Sequence, residues 1–211
     1  MQVQEYIGDN VIEIPKITGI TSENVDLINE DFDLLKTNYE TFDTTGAEWW
    51  ELKTYPSTTD QYLNIVIHSN LYPTYGTQGN VSSWNYDYVN DKYLSIEDAL
   101  TMAGLTKEEL SEKFEAQLAK DNEKNTDNAP KAIDFQASAF RILADGKVEL
   151  FCEVDLEYPQ ADTGTNHVIY TYSAADETFT ESEGRTLIED VETLDEMDPP
   201  LYYAQAHDDK Q

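Results

Sequence analysis

Four oxygen-bearing side chains in the segment WNYDYVNDKYLSIEDAL (84–100) have the chemistry of metal ligands: Asp87, Asn90, Asp91 and Asp98. Calcium prefers such ligands, and an EF-hand loop places them at positions 1, 3 and 5, with glycine at 6 and an acid at 12. Counted from Asp87, position 3 is Val89 and position 6 is Lys92, so the spacing does not fit. The segment 121–132 also lacks the glycine and has Ala132 at its twelfth position. We therefore predict no metal site and no cofactor here, and a cation site built from distant acids stays open as an alternative.

The same segment has the signals of a strand, a turn and a helix in succession. Asn90 and Asp91 are residue types that favour tight turns, and Ser95 is a favoured helix cap. We interpret residues 84–100 first as the junction between a strand and a helix.

Residues that commonly perform catalysis are not arranged in a recognisable motif. The three histidines, His68, His167 and His207, lie far apart, and none belongs to an H-E-x-x-H sequence. A G-x-S-x-G elbow and a glycine-rich phosphate loop are also absent from the sequence. Two of the 43 acids could act as a glycosidase pair, but acids this common single out no pair. We predict no catalytic residue, with a glycan-active enzyme as the least favoured alternative.

Aromatic residues around one predicted hairpin are the candidates for binding: Tyr72, Tyr75, Trp84, Tyr86 and Tyr88. Strand alternation places Trp84, Tyr86 and Tyr88 on one face. Large rings with a polar atom are typical of protein-binding hot spots and sugar platforms. The alternative is that this face is the buried side of a sheet, under a helix, and both interpretations stay open.

The hydrophobic pattern predicts the elements that position these residues. Predicted strands cover 11–17, 62–72, 81–89, two runs around Asp145-Gly146 within 138–156, and 167–173. A helix is indicated by apolar residues three and four apart: Val25, Ile28, Phe32 and Leu35. Two more helices start at capping boxes, Ser95 with Asp98 and Thr106 with Glu109. We predict the α+β class, with an antiparallel sheet and two to three helices packed against it.

The chain length and the charge of the last residues suggest how the chain is divided. Its 211 residues suit one domain with an appended segment. Residues 174–211 carry twelve acids against Arg185 and Lys210. We expect a domain over 1–173 and an acidic C-terminal extension over 174–211.

The formal charge of −30, from 43 acids and 13 bases, excludes some partners. Few lysines and arginines are present to displace counterions, so no nucleic-acid binding is expected. Adhesion to anionic lipids is disfavoured for the same reason, whereas a cationic partner or a solvated acidic surface fits.

The remaining features of the sequence bear on the cellular compartment. Cys152 is alone, so no disulfide forms within the chain, and no apolar run reaches the ~18 residues that span a bilayer. The first residues, MQVQEYIGDN, do not form a signal peptide. Either the protein is cytosolic, or this is a mature chain from which a leader or anchor was removed.

The order of these elements resembles that of the secreted domain of RsiV-like proteins of Gram-positive bacteria. The resemblance covers roughly residues 11–173, through IPKI, NVDLINEDF, YLNIVIHSNLY and WNYDYVNDKYLSIEDAL leading into GLTKEELSEKF. Asn85-Tyr86-Asp87 and Leu94 to Asp98 match its strand and helix start. Further matches are Phe140, Asp145-Gly146, Tyr158-Pro159 and Gly164. Residues after 173 have no counterpart in this pattern.

The resemblance implies an antiparallel sheet with helices, located outside the cell or at its surface. Such domains include the lysozyme-sensing ectodomain of an anti-sigma factor and accessory domains of peptidoglycan deacetylases. We therefore expect a non-catalytic extracellular binding or sensing domain that recognises a cationic protein such as lysozyme. The alternative is a cell-wall accessory module that binds peptidoglycan or another glycan.

Overall fold

The computed structural model describes residues 4–7, 10–40, 47–73, 78–123, 128–159, 165–182, 186–193 and 204–206. The strands of this part of the chain are β1 (Gln4–Ile7), β2 (Asn10–Glu13), β3 (Ala47–Thr58), β4 (Tyr62–Pro73), β5 (Gln78–Asp87), β6 (Lys92–Leu94), β7 (Lys131–Ile142), β8 (Val148–Glu157), β9 (Thr165–Ser173), β10 (Thr178–Glu181) and β11 (Ala204–Ala206). The helices are α1 (Glu23–Glu40), α2 (Ile96–Ala103) and α3 (Lys107–Asn122). No helix among the described residues is long and apolar enough to cross a membrane.

The strands form two sheets, so the predicted α+β class is confirmed with one sheet more than expected. The larger sheet has the order β11-β1-β2-β3-β4-β5-β6 and the smaller sheet the order β10-β9-β8-β7. All neighbours in the smaller sheet are antiparallel. The larger sheet is mixed, because β1 pairs with β11, and β2 with β3, in parallel.

The elements pack as four layers. Helix α1 covers the outer face of the larger sheet, where Val25, Ile28 and Phe32 pack with Ile65 and Tyr86. The two sheets face each other through a third cluster: Tyr55, Val66, Val81, Ala139, Phe151, Ile169, Leu187 and Ile188. Helices α2 and α3 cover the outer face of the smaller sheet through Leu100, Leu110 and Phe114. The core is therefore divided among three apolar interfaces.

Local signals place the helices where the sequence predicts them. Ser95 Oγ accepts from the Asp98 N–H at 3.2 Å, and the Asp98 carboxylate accepts from the Ser95 N–H at 2.9 Å. Thr106 and Glu109 form the same reciprocal pair. Helix α2 ends at Gly104, whose φ of 70° lies in the left-handed region that glycine adopts without strain. Both predicted capping boxes are confirmed.

The two sheets are joined by side chains that bond to the edge of β7. Asn64 Nδ2 donates to the Ile142 carbonyl at 3.0 Å, and the Ile142 N–H donates to Asn64 Oδ1 at 2.9 Å. One strand along, Asn85 Nδ2 donates to the Phe140 carbonyl, and the Phe140 N–H donates to Ser83 Oγ. An edge strand has unpaired backbone groups, and buried groups of this kind must find partners. Polar side chains of the larger sheet therefore bond to the free backbone groups of β7, the edge strand of the smaller sheet.

Two sequence predictions need correction. The strand expected over 11–17 ends at Glu13; beyond Pro15, both backbone groups of Ile17 bond to the Asn29 side chain. Strand β3, which was not predicted, lies between β2 and β4.

The boundary expected after residue 173 does not coincide with a break in the packing. Strand β10 pairs with β9, and its Phe179 lies in the core under α3. Leu187 and Ile188 are buried between the sheets. Phe179, Leu187 and Ile188 of the segment 174–193 thus contribute to the core.

Candidate functional site

The five candidate aromatic residues are dispersed in the structure. Tyr72 lies in β4 and pairs with Trp49 of β3, whereas Tyr75 lies outside the described residues. Trp84 and Tyr86 lie in β5, and Tyr88 lies in the turn that follows.

Trp84 and Tyr86 lie on the face of β5 that α1 covers. Tyr86 is only 2% exposed, and its hydroxyl donates to Asp91 Oδ1 at 2.9 Å. Trp84 is half-buried, and its ring meets that of Phe32 edge-on at 5.0 Å. Its indole N–H donates to Asp31 Oδ2 at 3.1 Å. The interpretation of this face as the buried side of a sheet is therefore correct for Tyr86. Trp84 is only partly covered by α1.

Tyr88 leaves the strand and lies at the surface. Its hydroxyl donates to the Thr59 carbonyl, and 39% of the residue remains exposed. Strand β5 ends one residue earlier, at Asp87. Tyr88 is thus separated from the other two aromatic residues by the start of the turn.

The acids between β5 and β6 hold a turn, as their residue types predict. The Asp87 carboxylate accepts from the Val89 N–H at 3.0 Å and from the Asn90 N–H at 2.9 Å. Burial raises the pKa of Asp87, but these bonds and those from the Asn90 and Gln61 side chains outweigh it, so the pKa lies below its usual range. Asp87 therefore stabilises the turn as a carboxylate.

Asp91 joins this turn to the start of α1. Its backbone has a φ of 49°, and its carboxylate accepts from Ser22, Tyr86 and Asn24. Those hydrogen bonds lower the pKa of Asp91. Three of the ligands considered for calcium, Asp87, Asp91 and Asp98, thus accept hydrogen bonds from protein donors. No group of three or more His, Cys, Asp or Glu residues in the described part of the chain could hold a metal ion.

A group of partly exposed aromatic residues lies where α1 meets the end of the larger sheet. Tyr93 of β6 pairs with Tyr86, so it shares a face with Trp84, and it is 41% exposed at the sheet edge. Burial, followed by the negative charge of Asp31, raises the pKa of Tyr93. Asp31, which accepts from the Trp84 indole, therefore also lies near Tyr93.

The neighbouring face of α1 is apolar and acidic together. Leu27 and Leu34 lie four residues before and three after Asp31, on the same face of the helix. Both leucines project into solvent, with 59% and 60% of their surface exposed. We refer to Leu27, Asp31, Leu34, Trp84 and Tyr93 as the acidic aromatic surface.

Further acids surround the acidic aromatic surface. Helix α1 contains six acidic residues and one lysine. The exposed acids on it, besides Asp31, are Glu23, Asp26, Glu30 and Asp33. The helix therefore gives this surface a strongly negative potential.

The binding residues predicted from the sequence did not include Tyr93, Leu27 or Leu34. Tyr93 follows the turn, and only its pairing with Tyr86 places it beside Trp84. The exposure of the two leucines could have been predicted from the sequence, because they fall outside the apolar stripe of Val25, Ile28 and Phe32 that α1 buries.

The histidines do not assemble a catalytic group in the described residues. His68 is buried between the sheets, and Asn70 Nδ2 donates to its Nδ1 at 3.3 Å. Burial, followed by the charge of Lys53, lowers the pKa of His68 to about 4. His167 Nδ1 lies 2.7 Å from Asp155 Oδ1 on the other sheet, and His207 lies outside the described residues.

The thiol of Cys152 lies in the apolar core rather than in a reactive site. Cys152 is fully buried in the core beneath α2 and α3, and burial raises its pKa. A thiol that stays protonated is a poor nucleophile and metal ligand.

Comparisons with known proteins add no relative to this description: no protein-family model matches the chain, and no curated protein matches it.

Proposed function

We propose that this chain is a non-catalytic extracellular binding or sensing domain whose acidic aromatic surface recognises a cationic protein. The observation that carries the proposal is the exposed face of α1, where Leu27 and Leu34 flank Asp31 at 59% and 60% exposure. Isolated exposed apolar residues are ordinary, but two on one helix face beside half-exposed aromatic rings are typical of an interaction site.

The apolar members of this surface supply affinity in the proposal. Full burial of a leucine contributes roughly 1.5–3 kcal/mol, and each of these residues still exposes more than half of its surface. An interface that covered one of them would therefore gain on the order of 1–2 kcal/mol from it. Tyr93 adds a ring with a polar tip, a combination common at interface centres.

In the proposal, the acids of α1 orient the approaching partner and raise its association rate. Charges of one sign around an apolar patch steer an oppositely charged partner, and this acts mainly on the association rate. Their effect fades over ~8 Å at physiological ionic strength. A partner that bound through the acids alone would consequently dissociate at high salt. A partner that also buried the leucines would stay bound.

The RsiV-like resemblance supports an extracellular location and suggests a c-type lysozyme, a strongly basic protein, as the first partner to test. It also suggests the alternative, a cell-wall accessory module. We propose the protein partner because the exposed apolar and acidic groups lie together on one helix.

The test is a calorimetric titration of the chain with a c-type lysozyme, with cytochrome c as a basic control, at low salt and at about 0.5 M salt. Micromolar or tighter binding to lysozyme alone, retained at high salt, is the expected result. Equal binding to both proteins that disappears in salt would reduce the interaction to charge attraction. Binding to peptidoglycan fragments instead would favour the accessory module.

Variants locate the surface. We expect the double substitution Leu27→Ser and Tyr93→Ser to weaken binding at least about tenfold, because both side chains would lie at the interface centre. Ile133→Ser is the matched control, since Ile133 is 56% exposed but lies on β7 of the other sheet. Unchanged binding by the folded double variant would contradict the proposed surface.

A further inference from the structure

A cavity with both polar and apolar lining residues lies on the inner face of the smaller sheet, away from α1. Arg141, Glu149, Thr171 and Thr180 line it from the four neighbouring strands, and Phe151, Glu181, Ser182 and residues 186–190 also line it. Its volume is about 430 Å³. Pockets for small ligands commonly measure ~300–1,000 Å³, so the cavity is large enough for a compact ligand.

Arg141 is a fixed donor in this cavity, because its side chain is only 8% exposed and is bonded on two sides. Its Nε donates to Glu149 Oε2 at 2.5 Å, and its Nη2 donates to Asp190 Oδ1 at 2.8 Å. A guanidinium has five N–H donors, and these bonds use two of them. Among the described residues Nη1 has no hydrogen-bond partner, so it is available to a ligand.

Hydroxyl groups and carboxylates provide the other contacts. Four lining residues carry hydroxyls that bond to no described protein group: Thr171, Thr180, Ser182 and Thr186. Glu149 and Asp190 each use one carboxylate oxygen on Arg141, which leaves the second oxygen as an acceptor. Donors and acceptors therefore line the same small volume.

The charges of the lining discriminate among ligand classes. Three carboxylates, Glu149, Glu189 and Asp190, disfavour an anion, whereas Glu181 accepts from the Tyr170 hydroxyl on the opposite face of the sheet. The free Nη1 of Arg141 can only donate hydrogen bonds, so a ligand that uses it must supply an oxygen acceptor. A neutral polyol fits both, because each of its hydroxyls can donate to a carboxylate and accept from Arg141 or a threonine.

We propose that this cavity binds a neutral polyhydroxylated ligand, a saccharide, between Arg141, the Glu149 and Asp190 carboxylates and the surrounding hydroxyls. The inference does not rest on the proposed protein-binding function. The cavity lies on the inner face of the smaller sheet, whereas the acidic aromatic surface lies on the outer side of the larger one. Either site can fail its test without affecting the other.

The test is a titration followed in ¹H–¹⁵N NMR spectra, with the Arg141 Nε–H resonance as the local probe. The neutral probes are glucose, N-acetylglucosamine and their β-1,4-linked disaccharides, at millimolar concentrations. Glucuronate keeps the same ring and adds one negative charge. We expect a neutral saccharide to shift the Arg141 resonance and to bind more tightly than glucuronate.

Substitutions at hydroxyls test the location with little change of shape. Thr171→Val is expected to weaken saccharide binding at least about threefold, the loss of one neutral hydrogen bond. Thr180→Val, at an exposed position on β10, gives a second reading if Thr171→Val does not fold. Thr165→Val is the control, since Thr165 lies at the exposed start of β9 and outside the cavity.

Three results would overturn the proposal. These are tighter binding of glucuronate than of glucose, no response to any neutral saccharide, and unchanged saccharide binding in folded Thr171→Val or Thr180→Val.

Discussion

The side-chain bridge between the two sheets can be tested by removing Asn64. This residue is fully buried, and its amide bonds to both backbone groups of Ile142, to the carbonyl at 3.0 Å and to the N–H at 2.9 Å. In Asn64→Ala both groups lose their partner. Because Ile142 is 1% exposed, water cannot readily replace the lost bonds.

The magnitude follows from the cost of unsatisfied buried groups. Each buried donor or acceptor left without a partner costs roughly 1–3 kcal/mol. Two such groups predict that Asn64→Ala lowers the free energy of unfolding by about 2–6 kcal/mol. Against a usual total of about 5–15 kcal/mol, such a loss is large for one substitution.

Urea unfolding gives the change in free energy, and hydrogen exchange of the Ile142 amide reports the bond directly. We expect that amide to lose protection more than its neighbours in β7. Asn80→Ala is the matched control, because Asn80 is exposed on β5, and its effect is expected within about 0.5 kcal/mol. A loss below about 1 kcal/mol in Asn64→Ala, or unchanged protection of Ile142, would refute the bridging role.

Asn64→Asp separates the two bonds by pH. An ionised Asp at this position accepts from the Ile142 N–H but cannot donate to its carbonyl, and a buried charge is costly. The folded pKa is therefore expected above the unfolded value of about 3.9. Relative to the wild type, the variant should be most stable below this value and lose stability as the pH rises toward the folded pKa. A pH-independent difference would contradict this account.

Three further predictions concern His68, Gly79 and Thr106. The pKa of His68 is lowered to about 4 in the folded chain, so protons bind the unfolded chain first as the pH falls. The free energy of unfolding should therefore be highest above about pH 6.5 and fall by about 3 kcal/mol toward pH 4. Urea unfolding should show this loss in the wild type but not in His68→Gln. A Cβ at Gly79 would lie 3.1 Å from His68 Nε2 and 3.2 Å from Asn70 Oδ1, so Gly79→Ala should cost about 1–3 kcal/mol in urea unfolding. Thr106→Ala removes an N-cap and should cost about 1 kcal/mol by the same measurement, with the solvent-exposed Thr101→Ala as the helical control.

The helices and the hairpins were predictable because their signals are local. Apolar spacing marked α1, and two capping boxes marked the starts of α2 and α3. Asp145-Gly146 marked the β7–β8 turn, where Gly146 has a φ of 78°. Each signal depends on residues only a few positions apart, so no knowledge of the tertiary fold was needed.

The sequence did not predict strand β3 because both faces of this strand are buried, so its apolar and polar residues do not alternate. Glu51 and Tyr55 are buried toward the smaller sheet, and Leu52 and Thr54 are buried on the opposite side. Polar residues on a buried face hide the alternation that identifies a strand. Pro56 adds a strand-breaking signal, and it is accommodated because β2 pairs with β3 only near Glu51 and Leu52.

The second sheet could not be anticipated from the sequence for a related reason. Asn64 and Asn85 occupy inward positions that an alternating pattern assigns to solvent. In the structure their amides bond to Ile142 and Phe140, residues 78 and 55 positions away. Polar residues that satisfy a distant strand edge have the same local pattern as polar residues that face water.

The distribution of charge links these features to the proposed function. The acids of α1 remain at the surface, while the side chains of Asn64, Asn85 and Ser83 that bond to β7 are neutral. High salt should therefore weaken the encounter with a cationic partner more than it changes the stability of the fold. A neutral saccharide in the Arg141 cavity would be nearly insensitive to salt, because no charge of the ligand is screened. Salt dependence thus distinguishes the two proposed sites in the unaltered protein, before any substitution is made.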